Sequence, residues 1–358
     1  MSQNLAKKYL EDYLKKTDPL FEKYLQGKIK EAKQIGQIPA DILQKFSQIA
    51  RKGKKVRGFL VVLGYELAGG KNKKEILNAS LFIELVHAGL LVHDDIQDQD
   101  VIRRGIPTIH TQYENIGKNL KLGKLSKHYG ESMGINAGTS AYFLAWDKLL
   151  SSKFPSDRLV KTGLLCGNYI TRTAHGQSLD ASNMFIKNTK ESELLNILKY
   201  KTAEYTGIFP LLAGATLAGL KDKKRLSALR KYGLYLGWAF QIQDDILGTF
   251  GDEKKLGKSV GIDIAEGKVT LLALHLIKHG TKKQKKLFKE LLGKKNITKK
   301  NVKDAQTAFK EAGSYDYVNN LGWEYVKKGR KVIPQITKDK KMTKILDSFI
   351  SYMMERTL

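Results

Sequence analysis

An apolar run that ends in acid limits what this 358-residue chain can become. Residues Ile76 to Val92 are apolar on almost every side apart from Glu84 and His87. A helix apolar all round is a buried helix. The run leads directly into His93-Asp94-Asp95-Ile96-Gln97-Asp98-Gln99-Asp100, with Arg103-Arg104-Gly105 two residues further on. Four carboxylates crowded at the end of a buried segment are very unfavourable without compensation, so the stretch calls for a cation. With a helix from Leu81, Asp94 and Asp98 share a face at i and i+4, and Asp95 joins Asp98 at i and i+3. Hard carboxylate oxygens presented together suit Mg2+, which keeps waters and takes a few protein carboxylates plus substrate phosphates. Two adjacent arginines point the same way, because guanidinium is the preferred bidentate partner of phosphate.

The rest of the chain reads as helix. It has only six prolines and no long apolar/polar alternation, while helical spacing recurs almost everywhere. Leu5 to Lys33 is helix-compatible, with a break expected at Asp18-Pro19. A second helix is expected from Ala40 to Lys52 and a third from Phe59 to Ala68, each closed by glycine. Glu114 to Lys127, polar and glycine-containing, reads as a surface loop. Helical texture returns at Ser132–Ser151, Asp157–Asp180, Glu191–Leu220 and Lys224–Leu247, and three or four amphipathic helices follow Val269. No repeat or linker divides the chain. The expectation is one all-α domain over residues 1–358, with ten or more helices around a central cavity.

A formal charge of +27, from 63 Lys+Arg against 36 Asp+Glu, steers acidic partners toward the surface. No basic-aromatic interleaving or known binding module accompanies it, so no specific nucleic acid is expected, and the lysine runs read as solvated faces. The one cysteine, Cys166, rules out an internal disulfide; its apolar neighbours predict a buried thiol. The first residues lack the apolar core of a secretory signal. The apolar stretch Phe209–Leu220 is well short of the roughly 20 residues that span a bilayer. These features predict a soluble cytoplasmic protein with at most peripheral membrane contact.

A second acidic pair, Asp244-Asp245 in Phe240-Gln241-Ile242-Gln243-Asp244-Asp245, ends another apolar helix that runs from Tyr232 through Trp238. Carboxylate pairs at the ends of two buried helices are expected to face each other across a bundle and hold metal from both sides. Lys258 and Lys268 follow in a glycine-rich loop, where mobile lysines can close over a polyanion.

In this order the motifs resemble those of the trans-isoprenyl diphosphate synthase (polyprenyl synthetase) family, archaeal-type geranylgeranyl diphosphate synthases in particular, from about Lys52 to Arg356. Asp94-Asp95-Ile96-Gln97-Asp98 with Arg103-Arg104-Gly105 matches the family's first aspartate-rich motif, and Asp244-Asp245 its second. Gly53-Lys54-Lys55-Val56-Arg57 is similar to its Gly-Lys-Arg-Leu-Arg segment, and Gly176-Gln177-Ser178-Leu179-Asp180 is a further signature. The resemblance implies that Lys54, Arg57, His87 and Arg104 hold the diphosphate of isopentenyl diphosphate. It implies that Arg103, Lys201, Thr202, Gln241, Lys258 and Lys268 hold an allylic diphosphate. It further implies a three-Mg2+ cluster on Asp94, Asp98 and Asp244, with Asp95 and Asp245 in support, and a homodimer. Two positions depart from the family pattern: Gly248 stands where a third aspartate is often found, and Gly138-Thr139 where Gly-Asp is usual.

The implied reaction is head-to-tail condensation, in which the allylic diphosphate ionises, the isopentenyl double bond attacks, and the released diphosphate takes the proton. Phe240 is expected to add a cation–π contribution of about 1 kcal/mol. His93 reads as supporting rather than substrate-binding. The product is expected to be C20 or C25, because Gly89, five residues before the first aspartate, blocks nothing, and Val86 and Phe82 follow on the same stripe. A terpene cyclase would need the same aspartates but has no use for Lys54, Arg57 and His87. A non-catalytic subunit tends to lose the aspartates, which are intact here.

Overall fold

The computed structural model describes residues 2–183, 189–253, 260–294 and 296–357. The all-α expectation holds: helices dominate, and among the described residues the only strands are Ile102–Arg103 and Ile106–Pro107, paired in a short hairpin. The chain forms two compact units, one of Lys8–Gly163 and Gly214–Gly219, the other of Met1–Lys7, Leu164–Ala213 and Leu220–Leu358.

The first unit contains α2 (Gln37–Ala50), α3 (Val56–Leu67), α4 (Lys73–Ala79), α5 (Leu81–Gln97), α6 (Ile109–Asn119), α7 (Leu125–Leu150) and most of α1 (Ser2–Ile35). The break expected at Pro19 does not occur, and α1 continues through it. Leu10, Tyr13, Thr17, Phe21 and Leu25 are all buried at helical spacing, which holds the helix to its neighbours. Pro19 and Lys15, whose carbonyl loses its partner, lie on the exposed side, where water can substitute. The apolar run from Ile76 is two helices, because Ser80 separates α4 from α5 and exchanges a 2.8 Å hydrogen bond with the Tyr13 hydroxyl.

The loop expected over Glu114–Lys127 is mostly helical. Ile109, His110, Tyr113 and Gly117 are buried at intervals of about four residues and seat α6 on α7. Gly117 is there for close approach, since a Cβ would meet the Ser126 Cα at 3.0 Å. Only Leu120–Lys124 remains outside helix, with Lys121 and Gly123 at positive φ. One stretch, Lys73–Gln97, is long and apolar enough to cross a bilayer, unlike the shorter Phe209–Leu220, but it is 67% buried within the protein.

The second unit contains most of α8 (Ser156–Asn183), then α9 (Glu191–Ile197), a π-helix (Leu198–Ile208), part of α10 (Phe209–Ala218) and α11 (Lys223–Phe250). After the single turn α12 (Ile262–Ala265) come α13 (Leu271–His279), α14 (Lys282–Leu291), α15 (Lys299–Glu311), α16 (Ser314–Ile336) and α17 (Lys340–Glu355). Among the described residues five helices therefore follow Val269 rather than three or four; short connections such as Ala312-Gly313 leave little turn signal between them. Tyr232, Phe288, Phe309 and Phe349 lie fully buried in this unit, and the Tyr232 hydroxyl donates to the Leu346 carbonyl at 2.7 Å.

Cys166 on α8 is 6% exposed, and burial pushes its thiol up to about 12. At pH 8 the folded protein should react with iodoacetamide at least about 100-fold more slowly than the denatured chain, because the thiolate is the nucleophile. Comparable rates in the two states would refute the buried placement.

Candidate active site

In the first unit the acidic motif lies at the end of α5. Asp98 is the residue that ends the helix, and its N–H donates to the Asp94 carbonyl at 2.8 Å, so the predicted i, i+4 relation of the two carboxylates holds. Asp95 turns inward and is 1% exposed. Its Oδ1 accepts from Arg103 Nε at 2.6 Å and pairs with Arg103 Nη2 at 2.5 Å, while Nη2 also reaches Asp100 Oδ2 at 2.8 Å. The other oxygen, Oδ2, is buried without a hydrogen-bond partner. Burial pushes the Asp95 carboxyl up to about 7 against the pull of the Arg103 charge.

Arg103 thus belongs to the carboxylates, and its neighbour Arg104 to the turn between α2 and α3. Arg104 sits at a φ of 55° and donates from Nη1 to the Ile49 carbonyl at 3.0 Å and to the Lys52 carbonyl. Gly53, at φ 111°, leaves room for that guanidinium, since a Cβ would stand 2.8 Å from it. Lys54 is half-buried on this turn, and Arg57 is buried in the first turn of α3. Glu84 explains its own place in an apolar helix: Oε1 accepts the Gly58 N–H at 2.7 Å, putting negative charge at the positive end of α3. Lys55, at φ 46°, is buried with its ammonium on Asp18 at 2.8 Å and on the Arg51 carbonyl at 2.9 Å.

His87 is half-buried on α5. Burial, then the charges of Arg57, Arg104 and Arg103, hold it well below 6.5, so it is neutral. His93 packs against Tyr142 of α7 with ring centroids 5.6 Å apart, and Gly138 leaves the room its ring occupies, which fits its supporting role. Thr139 is exposed, and nothing in the structure explains why it replaces an aspartate. Gly89 also packs on α7, where a Cβ would stand 3.0 Å from the Gly138 carbonyl oxygen, while Val86 and Phe82 are 2% and 1% exposed.

In the second unit, Lys201, Thr202, Gln241, Asp245 and Lys268 line one cavity of about 90 Å3. The π-helix that carries Lys201 and Thr202 is the least expected element in the chain. Its last bond runs from Phe209 N–H to the Glu204 carbonyl, and Pro210 follows directly. Pro210 lacks an N–H and its ring crowds the preceding turn, and a widened turn relieves both constraints. Arg172 of α8 holds the element through two bonds to the buried Glu204, at 2.6 and 2.7 Å. Gly176 lets α8 approach so closely that any Cβ would overlap the Lys201 backbone nitrogen. Lys201 then pairs with Asp180 at 2.5 Å, so the signature Gly176–Asp180 positions Lys201 at both its ends.

Gln241 donates to Asp245 Oδ1 at 2.9 Å. Burial and then Asp263, with Asp244 and Asp180 adding, raise the Asp245 carboxyl well above its ordinary value. Asp263 went unnoticed in the sequence, yet its Oδ2 lies 3.4 Å from where a Gly248 Cβ would be. A carboxylate from α12 therefore stands beside the position at which the family often has a third aspartate. Lys268 pairs with Glu266 at 2.8 Å, and Lys258 lies outside the described residues. The Phe240 ring is not open to a cationic substrate on the face that Arg356 covers, with the guanidinium 3.9 Å from the ring centre. No sequence motif marks this partner, which follows α17, 116 residues away.

Mg2+ fits these groups. Among the described residues no three His, Cys, Asp or Glu side chains converge on one point. The carboxylates instead come in pairs, one buried oxygen of Asp95 lacks a partner, and Asp245 sits among like charges. Such a donor set suits an ion that completes its shell with water and phosphate oxygens.

The neutral state of His87 has a signed consequence. Below pH 6.5 the unfolded chain binds a proton that the folded His87 resists, so stability falls as pH drops. His87→Gln should flatten the urea-derived stability profile between pH 6.5 and 5.5 by up to about 1.4 kcal/mol per pH unit. An unchanged slope would contradict the neutral assignment.

Comparison with known proteins identifies the family. The family model for polyprenyl synthetases matches residues 40–309. The chain is 32% identical to a geranylgeranyl diphosphate synthase of Methanosarcina mazei over 304 residues, covering 85% of this chain and 86% of the relative. It is 26% identical to a geranylfarnesyl diphosphate synthase of Natronomonas pharaonis, over 79% and 76% of the two chains. A solved structure of geranylgeranyl pyrophosphate synthase from Corynebacterium glutamicum, complexed with isoprenyl diphosphate and magnesium, matches with a TM-score of 0.90 at 27% identity. That match covers 97% of this chain and 99% of the other. On the match of the family model over most of the chain and the 32% identity to the Methanosarcina mazei relative, the chain belongs to the polyprenyl synthetase family.

Proposed function

We propose that the protein is a prenyltransferase that condenses isopentenyl diphosphate head-to-tail with an allylic prenyl diphosphate, giving an all-trans C20 or C25 product. The observation that carries this reading is the convergence of Lys201, Thr202, Gln241, Asp245 and Lys268 on one cavity, in a chain similar to geranylgeranyl and geranylfarnesyl diphosphate synthases. All of 1–358 serves this one activity. Lys201, Thr202, Gln241 and Lys268, with Lys258 and Arg103, bind that diphosphate; Lys54, Arg57, His87 and Arg104 bind isopentenyl diphosphate. Asp94, Asp98 and Asp244, with Asp95 and Asp245 in support, would hold Mg2+, which would supply Lewis-acid neutralisation of the leaving group.

A neutral His87 supports its part, because it can donate one hydrogen bond to a diphosphate oxygen without drawing a further cation into a cluster of arginines. Lys201 and Lys268 are each already held by a carboxylate, Asp180 and Glu266, which fixes their ammonium groups before the developing charge arrives. The proton lost after condensation goes to the released diphosphate. Basic residues that bind two diphosphates favour this reading over a terpene cyclase and over a non-catalytic binding protein.

Incubation with Mg2+, labelled isopentenyl diphosphate and C5 to C20 allylic primers should yield C20 or C25 chains; no incorporation from any primer would defeat the proposal. Asp94→Ala should lower turnover about 100- to 1,000-fold. The fully buried Phe82 is the proposed floor of the product channel, with Val86 above it on the α5 stripe, while Gly89 is packed against Gly138 and Ala141 of α7. Phe82→Ala should lengthen the product by at least one isoprene unit, and an unchanged length would remove Phe82 from that role. A homodimer is also proposed: Ile135, Phe143 and Leu150 expose 50%, 69% and 49% of their surface along one face of α7, an area that a second copy would cover. Sedimentation equilibrium should return twice the 40.3 kDa chain mass, and a monomer at micromolar concentration would refute it.

A further inference from the structure

Asp244 is the more exposed member of the second acidic pair, with 42% of its side chain accessible, and it does not stand alone. Arg356 directly follows α17, and its Nη2 donates to Asp244 Oδ1 at 2.6 Å and to the Phe240 carbonyl at 2.6 Å. Its Nε donates to the Met353 carbonyl at 3.1 Å, and its guanidinium lies flat enough on Phe240 to come within 3.9 Å of the ring centre. The Arg356 carbonyl in turn accepts from Gln243 Nε2 at 2.9 Å. The side chain is 8% exposed, so this is a built contact and not a loose surface pair. One arginine is thus locked to three points on one turn of the motif helix: the Phe240 carbonyl, the Gln243 amide and the Asp244 carboxylate.

We infer that Arg356 is an internal counter-ion of Asp244 that sets the affinity of the second acidic motif for Mg2+ and is displaced when the ion loads. The inference rests on the proposed metal role of Asp244. A guanidinium that holds one carboxylate oxygen removes a donor from the ion and leaves a positive charge within a few ångström of where a divalent cation must sit. Both effects oppose loading. The benefit falls to the free protein, in which Arg356 keeps Asp244 oriented and compensates a carboxylate beside the buried Asp245. Loading then has to release the Nη2 hydrogen bonds and with them the last turn of α17, where the Arg356 N–H donates to the Tyr352 carbonyl at 3.1 Å. The metal state of the motif is thereby communicated to a helix end that contributes no ligand itself.

Titration calorimetry of MgCl2 into protein saturated with inorganic diphosphate tests this without turnover. Arg356→Gln should tighten Mg2+ binding by at least about fivefold, a change that a single removed charge at this range can produce. Arg356→Lys, which keeps the charge but loses the fork, should stay within about twofold of the parent protein. Unchanged or weaker binding in Arg356→Gln overturns the inference. Amide exchange of residues 352–357 in the unmodified protein gives an independent reading should the variant fold poorly. Mg2+ with diphosphate should speed exchange there several-fold, and unaltered exchange also overturns it. If the unmodified protein binds no Mg2+ at all, the metal assignment of Asp244 fails first, a result distinct from binding that Arg356→Gln leaves unmoved.

Discussion

A carboxylate buried at the end of an apolar helix is the constraint on which the first acidic site depends. Asp95 is almost wholly enclosed, so something must carry positive charge to it, and Arg103 does so with two of its nitrogens. Placing Arg103 fixes the hairpin at Ile102–Pro107, and the hairpin in turn fixes Arg104 against the carbonyls that end α2. Lys54 and Arg57 follow on that same turn and on the start of α3, which Glu84 stabilises from α5. One buried charge therefore organises a chain of basic residues, and the same Arg103 Nη2 also comes within 3.7 Å of Asp94 Oδ2.

The second acidic site is assembled by approach rather than by charge. Gly176 brings α8 against the backbone at Lys201, and Gly207 and Gly233 pass so closely that neither tolerates a Cβ. These contacts hold the π-helix against α11, and the cavity between Lys201, Gln241 and Asp245 is what they leave. Arg172 and Glu204 supply the lateral restraint.

Much of this was legible in the sequence, and the reasons for what was not are physical. Helices with an apolar stripe read clearly, as did aspartates and arginines packed into one short segment, because each signal is local. Pro19 misled because its cost depends on which side of the helix faces water. Gly117 misled because a glycine needed for close packing has the same letter as one needed for a turn. Asp263, Glu84 and Arg356 act on residues far away in the chain, so their spacing carries no pattern. Pro210 was the one local signal for the π-helix, and a proline near the start of a helix has a more ordinary meaning.

The π-helix makes the chain sensitive to length in a way that substitutions do not reveal. Each i→i−5 bond accommodates one more residue per turn than an α-helical bond, so Leu198–Ile208 acts as a phase shifter between α9 and α10. Deleting a single residue there would let the segment relax to α-helix with its flanks in phase, while side chains inside it turn by up to about 100°. Lys201 and Thr202 would then leave the cavity although neither had been changed. An insertion or deletion of one residue in this stretch is thus a different kind of event from a point substitution, and the lining of this cavity is encoded partly in a count.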